Sequence, residues 1–538
     1  MTDQTGHSSP SRFDPEEIRG SIVRRLKTHF AFAALLAILF LTFLDNTVAS
    51  AVLTSVQSEL HSNVSQLQWV VGGYALAFAS LMLMFGALGD NFGRKKVMLI
   101  GVAIFCGGSI VCAIAVNPSE LVIGRIVMGI GAAASEPGTL SMIRHLFPDR
   151  RKRARALGTW AAVCGLALAM GPVVGGILVG IWSWRAVFWF NLLFGGLALI
   201  VAAIALPESM NPVRRRVDLA GFFLAAVVLG TATFATIQGE LAGYATGWVI
   251  TLYVVSAATV PVFYLAEKRA KDPMLELGFF RRRSFTGSAF IAFASFFSVF
   301  SIFFFVALYL EVVTSVSAYG LALDFLPLLG GIVVSALFTG RWVGRVGSRF
   351  PMTVGCLLAA AGVLLTERVI GPHVGVSSLG WTMGLAGIGF GILIVPVNAT
   401  ALSSLPASNS GMASSAVNTA RELGAVAGVA ILGSIVNGQL TVNLTQRLIQ
   451  LGVPPAFRSQ IITAVTTGTA SSQAAAISGH STKAVQAIIK KVVNAAFGAL
   501  THGLDIALVA SGILLLVSAL VAYYTGTAES LELVDIEE

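Results

Sequence analysis

Seven ionisable side chains stand in apolar surroundings and set the chemistry open to this chain: Asp45, Arg125, Glu136, Glu311, Asp324, Arg421 and Glu422. Asp45 is the plainest case, a lone carboxylate inside LLAILFLTFLDNTVASAVL, Leu35 to Leu53. In hydrocarbon such a group costs about 2.5–3.5 kcal/mol, so it is kept for pairing, for a substrate path or for carrying a proton. Enzyme chemistry is not indicated. The chain has no GxxxxGK(S/T) phosphate loop and no HExxH metal helix. His502 and Asp505 are too few and too peripheral to build a hydrolase. Cys106, Cys112, Cys164 and Cys356 lie in apolar runs without metal-ligand spacing, and read as packing residues rather than disulfides. No cofactor and no metal are expected.

Position along a helix decides which of these charges can meet. Asp45 lies about 14 residues into the first apolar run, roughly 21 Å from its inner end. Arg125 lies about five residues into the fourth run, which descends from the outer side. Both therefore occupy the outer half and are expected to pair. Glu136 is eleven residues beyond Arg125, ~20° past three full turns, so it shares that face roughly 16 Å deeper. There it either binds a cation or relays a proton, or it helps open the helix at Pro137. Glu311 and Asp324 sit near the outer ends of the ninth and tenth runs, as cavity groups or as solvated ones. Arg421 and Glu422 are mid-run neighbours ~100° apart, so Glu422 partners Arg421 only obliquely. Trp69, Tyr74, Phe43 and Phe390 either offer π faces to a cation or serve as packing and interface anchors.

These charges require a membrane around them. Of 538 residues, 56% are hydrophobic and 11% charged, against about a quarter charged in a soluble protein. Fourteen apolar runs cover roughly 31–54, 67–88, 97–116, 120–143, 155–180, 186–206, 218–239, 247–266, 285–313, 319–341, 351–368, 377–402, 411–436 and 500–525. Runs of about 20 residues match ~30 Å of hydrocarbon, so the fold expected is an all-α polytopic membrane protein. An even number of spans puts both termini on one face. That face holds 26 of the 35 Lys and Arg; seven lie opposite, and Arg125 and Arg421 lie within spans. The positive-inside rule then places the termini in the cytoplasm of a multi-pass cytoplasmic-membrane protein. It also accounts for the net charge of +9 without a nucleic-acid partner. No cleavable signal peptide is visible; residues 1–30 end in IRGSIVRRLKTHF, either an amphipathic surface helix or a disordered leader. The insertion 437–494 is expected outside, with AVQAIIKKVVNAAF as a surface helix or a loose loop. Residues 526–538 form an acidic tail.

The loop GALGDNFGRKKVML, Gly86 to Leu99, joins the second and third runs. Gly86 and Gly93 permit a tight turn and close approach, and Asp90 can meet a helix N-terminus or an arginine such as Arg94. A degraded echo, GRWVGRVGSRF, follows from Gly340 to Phe350 with Gly344 in place of Asp90. Repeated inner loops in two apolar halves are a transporter signature. In the fifth run Gly171, Pro172, Gly175 and Gly176 remove side chains and one backbone donor, which permits a kink and close packing.

Taken together, these segments resemble the fourteen-spanner drug:proton antiporter family of the major facilitator superfamily. GALGDNFGRKK resembles its inner-loop signature and LDNTVASAVL its helix-1 motif. RIVMGIGAAASEP resembles its helix-4 motif with Met128 where Gln is usual, and ALAMGPVVGG its helix-5 antiporter motif with Ala167 where Gly is usual. WSWRAVFWFN and NTARELGAVAGVAILGS resemble the helix-6 and helix-13 motifs, the latter with Glu422 where Gln is usual. The resemblance implies a six-helix bundle over 31–206, two inserted helices within 207–284, and a second six-helix bundle over 285–525. It implies alternating access by rocking of the bundles, with Asp45 and Arg125 as the proton-coupling pair or as a structural ion pair. The implied substrate cavity takes in Glu136, Glu311, Asp324, Met128, Arg421 and Glu422; the implied moving loop takes in Gly86, Asp90, Gly93 and Arg94. The expected function is proton-driven export of amphipathic, cationic compounds, with export or flipping of an endogenous lipid or metabolite as the alternative. The expected partners are small molecules, protons and membrane lipids, around a monomer.

Overall fold

The computed structural model describes residues 15–62, 64–209, 218–270, 273, 276–313, 318–370, 376–406, 409–450, 453, 458 and 483–526. Fourteen long helices run through them: α1 Pro15–Leu60, α2 Val64–Phe92, α3 Arg94–Ile114, α4 Pro118–Leu146, α5 Arg150–Ile181, α6 Arg185–Ala205 and α7 Leu219–Ala242. They continue as α8 Gly247–Arg269, α9 Arg283–Val313, α10 Ala318–Val346, α11 Arg349–Val369, α12 Val376–Ser403, α13 Ser410–Gln450 and α14 Lys483–Thr525. Twelve are each long and apolar enough to cross a membrane, and α5 makes a thirteenth if its two segments, bent by 41°, form one span. Over its described residues α13 is not among these spans.

Two boundaries differ from the sequence-based expectation. The basic leader is no separate surface helix from Pro15 onward; it continues without a break into α1. The long insertion also shrinks at both ends. α13 continues to Gln450, and AVQAIIKKVVNAAF forms the first turns of α14. Extending an existing helix avoids a new nucleation step, which carries α13 through weak helix formers such as Asn437, Gly438 and Thr441. Helix starts follow local chemistry. Asn117 caps α4 through the Glu120 N–H at 2.9 Å, with Pro118 just inside, and the Glu120 carboxylate reaches back to the Val116 N–H at 3.0 Å. Asp149 caps α5 at the Lys152 N–H, 2.7 Å, and Asp218 caps α7 at the Gly221 N–H, 2.8 Å.

Helices α1–α6 pack on one another, with α3 against α4 and α6, α2 against α4, and α1 against α5 and α6. Helices α9–α14 form a second group, with α10 and α11 against α12, α9 against α13, and α14 against α9, α11 and α13. The groups meet where α5 lies on α10 and α12, and where α2 and α4 lie on α13. α7 rests on both α2 and α13, and α8 rests chiefly on α7. α8 leaves Ile250, Val254, Val262 and Leu265 exposed, as suits a lipid-facing helix.

Candidate functional site

Inside the first group, Asp45 of α1 and Arg125 of α4 form an ion pair. Arg125 Nη1 donates to Asp45 Oδ2 at 2.6 Å, and both side chains are essentially without solvent exposure. Asn191 of α6 donates through Nδ2 to the other oxygen, Asp45 Oδ1, at 2.7 Å. Arg125 Nε donates to the Val70 carbonyl at 2.9 Å, and its guanidinium sits 4.5 Å from the centre of the Tyr74 ring. Four helices thus supply one closed network, with donors on both carboxylate oxygens. That is the arrangement in which a buried charge is tolerated.

Two residues beyond Asp45, Thr47 ties this helix to α5. Pro172 has no N–H, so the Leu168 carbonyl one turn earlier loses its helical donor. Thr47 Oγ1 donates to that carbonyl at 3.2 Å. The bend in α5 falls between Leu168 and Val173, at the site of the missing bond. Gly171 makes the approach possible, since a Cβ there would stand 2.0 Å from Thr47 Oγ1. Gly175 is buried, whereas Gly176 faces open space.

A second set of charges lies between the two groups. Glu136 of α4 and Arg421 and Glu422 of α13 are each 5% exposed or less. Arg421 donates to Asn418 Oδ1 at 2.8 Å and to Asn398 Oδ1 of α12 at 2.7 Å. Its guanidinium lies 5.4 Å from the ring centres of both Trp160 of α5 and Phe296 of α9. Glu422 was the oblique partner expected from the sequence; instead two amides and two aromatic faces hold Arg421. Among the described residues, Glu136 Oε2, Asn418 Nδ2 and Thr419 Oγ1 are buried without a hydrogen-bond partner. Polar atoms of this kind, beside aromatic faces at a junction of two bodies, can take a ligand's polar groups. α4 continues as helix through Pro137, so Glu136 is not at an opening in it.

On the face where α2 passes into α3, the groups are latched together. Asp90, at the end of α2, accepts from Arg94 Nε and Nη2 at 2.9 and 2.7 Å. It also accepts from the backbone N–H groups of Gly411 and Met412 at the start of α13, both at 3.0 Å. A carboxylate on a helix N-terminus satisfies orphan donors and meets the positive end of the helix dipole. Gly86 permits the contact, because a Cβ there would lie 1.5 Å from Ser415 Oγ. Gly93 starts α3 at φ 106°, where side chains are disfavoured, and a Cβ would strike Glu208. Arg94 further donates to Ser209 Oγ at 2.9 Å. Arg144 of α4 adds donors to the Leu402 and Leu405 carbonyls at the end of α12. On the opposite face Glu59 takes hydrogen bonds from Arg185 and from Trp184 Nε1, and the Arg185 bond holds its carboxyl below the usual range.

Other residues singled out in the sequence lie elsewhere. Met128 is fully buried against α3, with Cys112 Sγ 3.8 Å from its sulfur, so it faces into the bundle rather than toward Arg421. Asp324 is 7% exposed beside Phe325, which stacks on Phe303. The Glu311 side chain lies outside the described residues. Trp69 packs on Phe234 of α7, and Phe43 meets the edge of Trp160. Asn191, Thr47, Asn398, Asn418 and Trp160 were not among the sequence candidates. A lone amide in the apolar run RAVFWFNLLFGG was the one available signal for Asn191.

The helix groups, the buried intramembrane charges and the latched face define a membrane transporter. The Major Facilitator Superfamily model matches residues 35–429, and the chain belongs to that superfamily. It is 30% identical to the multidrug resistance protein Stp of Mycobacterium tuberculosis over 79% of this chain and 78% of that protein. It is 29% identical to the tetracenomycin C resistance and export protein of Streptomyces glaucescens, over 90% and 89% respectively. In fold it resembles the proton:xylose symporter XylE, with a TM-score of 0.60 at 14% identity over 95% of this chain and 99% of that one.

Proposed function

We propose that this chain exports amphipathic small molecules, cations among them, across the plasma membrane in exchange for protons, with both termini cytoplasmic. α13 then serves as the fourteenth span, in the second group and against α2 and α4 of the first. The observation that carries the reading is the Asp45–Arg125 pair, a carboxylate buried in an apolar bundle with a cation as its counter-charge. Such a group can exchange its partner for a proton when the cavity opens to one side. Cargo would enter between the groups, where Glu136, Arg421 and Glu422 lie with Trp160 and Phe296 beside them. The Asp90 contact with α13 and the Arg144 contact with α12 would close the cytoplasmic side in the state described. Cargo release to the far side followed by protonation of Asp45 would precede rocking. The names of the relatives, a multidrug resistance protein and a resistance and export protein, support export as the direction.

The test is ethidium-driven proton movement in proteoliposomes under an imposed pH gradient, comparing wild type with Asp45→Asn. The reading expects coupled flow in wild type and, in the variant, ethidium binding without proton movement. A variant that couples normally makes the pair structural. A wild type that moves no proton with any amphipathic cation displaces the cation reading in favour of an endogenous lipid or metabolite.

A further inference from the structure

We infer that Asn191 is the positioning residue that lets Asp45 exist in both protonation states within the closed bundle, by turning its amide over. The inference rests on the coupling role proposed for Asp45. Asp45 is surrounded by donors: Arg125 Nη1 on Oδ2 and Asn191 Nδ2 on Oδ1. A protonated Asp45 needs an acceptor for its new O–H, and a guanidinium has none to give. The acceptor is already present. Asn191 is 0% exposed, and its Oδ1 has no donor among the described residues. An unused acceptor on the very amide that bonds the carboxylate is costly unless another state uses it.

The cycle balances with one proton and no other reactant. A proton from water in the cavity adds to Asp45 Oδ1. The Asn191 side chain rotates about Cβ–Cγ, so that its Oδ1 accepts from the acid O–H in place of Nδ2 donating. Arg125 keeps the Val70 carbonyl and the Tyr74 face. Loss of the proton to the opposite side returns the amide to its present orientation. The charged and titratable groups facing Asp45 are Arg125 from α4, Tyr74 from α2 and Cys112 from α3. α6 contributes Asn191, which does not titrate, and α5 meets α1 beyond Asp45, at Thr47 and Val48 beside Gly171.

The experiment uses the full chain in proteoliposomes with ethidium as probe and compares wild type, Asp45→Asn, Asn191→Leu and Asn191→Ser across pH. Leucine has the size but neither donor nor acceptor; serine is small but can do both. The amide role expects Asn191→Leu to lose about tenfold or more in gradient-driven export, with ethidium binding retained. It expects Asn191→Ser to stay coupled with a displaced pH profile. A packing role reverses that order, with Leu tolerated and Ser impaired, and overturns the inference. So does a Leu variant with wild-type rate and pH profile. If the Leu variant does not insert, a coupled Ser variant supports the inference and an uncoupled one overturns it. If Asp45→Asn couples normally, the coupling assignment falls and this inference falls with it. If Asp45→Asn is uncoupled while Asn191→Leu behaves as wild type, this inference alone fails.

Discussion

At Asp45 each carboxylate oxygen has a donor, and the cation that neutralises it sits 2.6 Å away in the same helix group. At Glu136 one oxygen has no donor among the described residues, and the nearby cation, Arg421, spends its bonds on two neutral asparagines. The two regions use the same residue types in opposite ways. The difference follows from what each must survive. Asp45, Arg125, Asn191 and Tyr74 all belong to α1–α6, so a full ion pair there moves as one body. Glu136 belongs to α4, whereas Arg421 and Glu422 belong to α13 of the other group. On the alternating-access reading proposed above, a saturated ion pair across that junction would weld together bodies that have to separate. Amides and aromatic faces hold Arg421 instead, and they leave polar atoms for a ligand.

The largest effect expected from this comparison is at Arg125. Arg125→Leu strands the Asp45 carboxylate in the bundle, and breaking a buried pair by removing one partner costs about 3–5 kcal/mol. Replacing both partners is far milder, so Asp45→Leu/Arg125→Leu is expected to recover most of the loss. Unfolding of the detergent-solubilised protein, followed as a double-mutant cycle, measures this directly. A double variant as unstable as the single one would break the comparison at its first term.

Arg421→Leu comes next. It removes two hydrogen bonds and orphans Asn398 and Asn418, with no ion pair to break, so about 1–3 kcal/mol is expected. A loss equal to that of Arg125→Leu would mean that Arg421 does have a carboxylate partner at rest. Ligand affinity sharpens the same variant. With Glu136 and Glu422 left behind, the site becomes more negative, so ethidium is expected to bind more tightly and an anionic amphiphile more weakly. The opposite pair of changes would assign the site to anions.

Helix existence, the crossing helices and the Asp45–Arg125 meeting were legible from spacing, because burial cost forces charges at one depth to meet. Asp90 was legible as a residue that meets a helix end or an arginine, and it does both. What spacing could not give is which neutral group completes each network. Asn191, Asn398 and Asn418 carry no charge and sit in runs that read as ordinary spans, yet they decide how Asp45 and Arg421 are held. Met128 misled for a related reason. A helix position three residues from Arg125 is close in sequence but faces α3 once the bundle forms. The ends of α13 and α14 were cut short because polar content ended the apolar run before the helix itself ended.

The smallest effect expected concerns the helix that touches both regions. α5 carries Trp160, which faces Arg421, and the bend whose free Leu168 carbonyl is bonded by Thr47 beside Asp45. Thr47→Val keeps the shape and deletes the hydroxyl, so about 1 kcal/mol of stability is expected to go. Thr42 provides the control on the same helix, since its hydroxyl bonds only the Ile38 and Leu39 carbonyls one turn back. Those carbonyls keep their helical donors, so Thr42→Val is expected to stay within about 0.5 kcal/mol of wild type. If unfolding shows equal losses, the bond across to α5 adds nothing, and the bend stands on Pro172 and packing alone. If only Thr47→Val is costly, the helix that carries Asp45 and the bent helix are joined by a specific bond. A change at Asp45 then has a physical route to the aromatic face that holds Arg421.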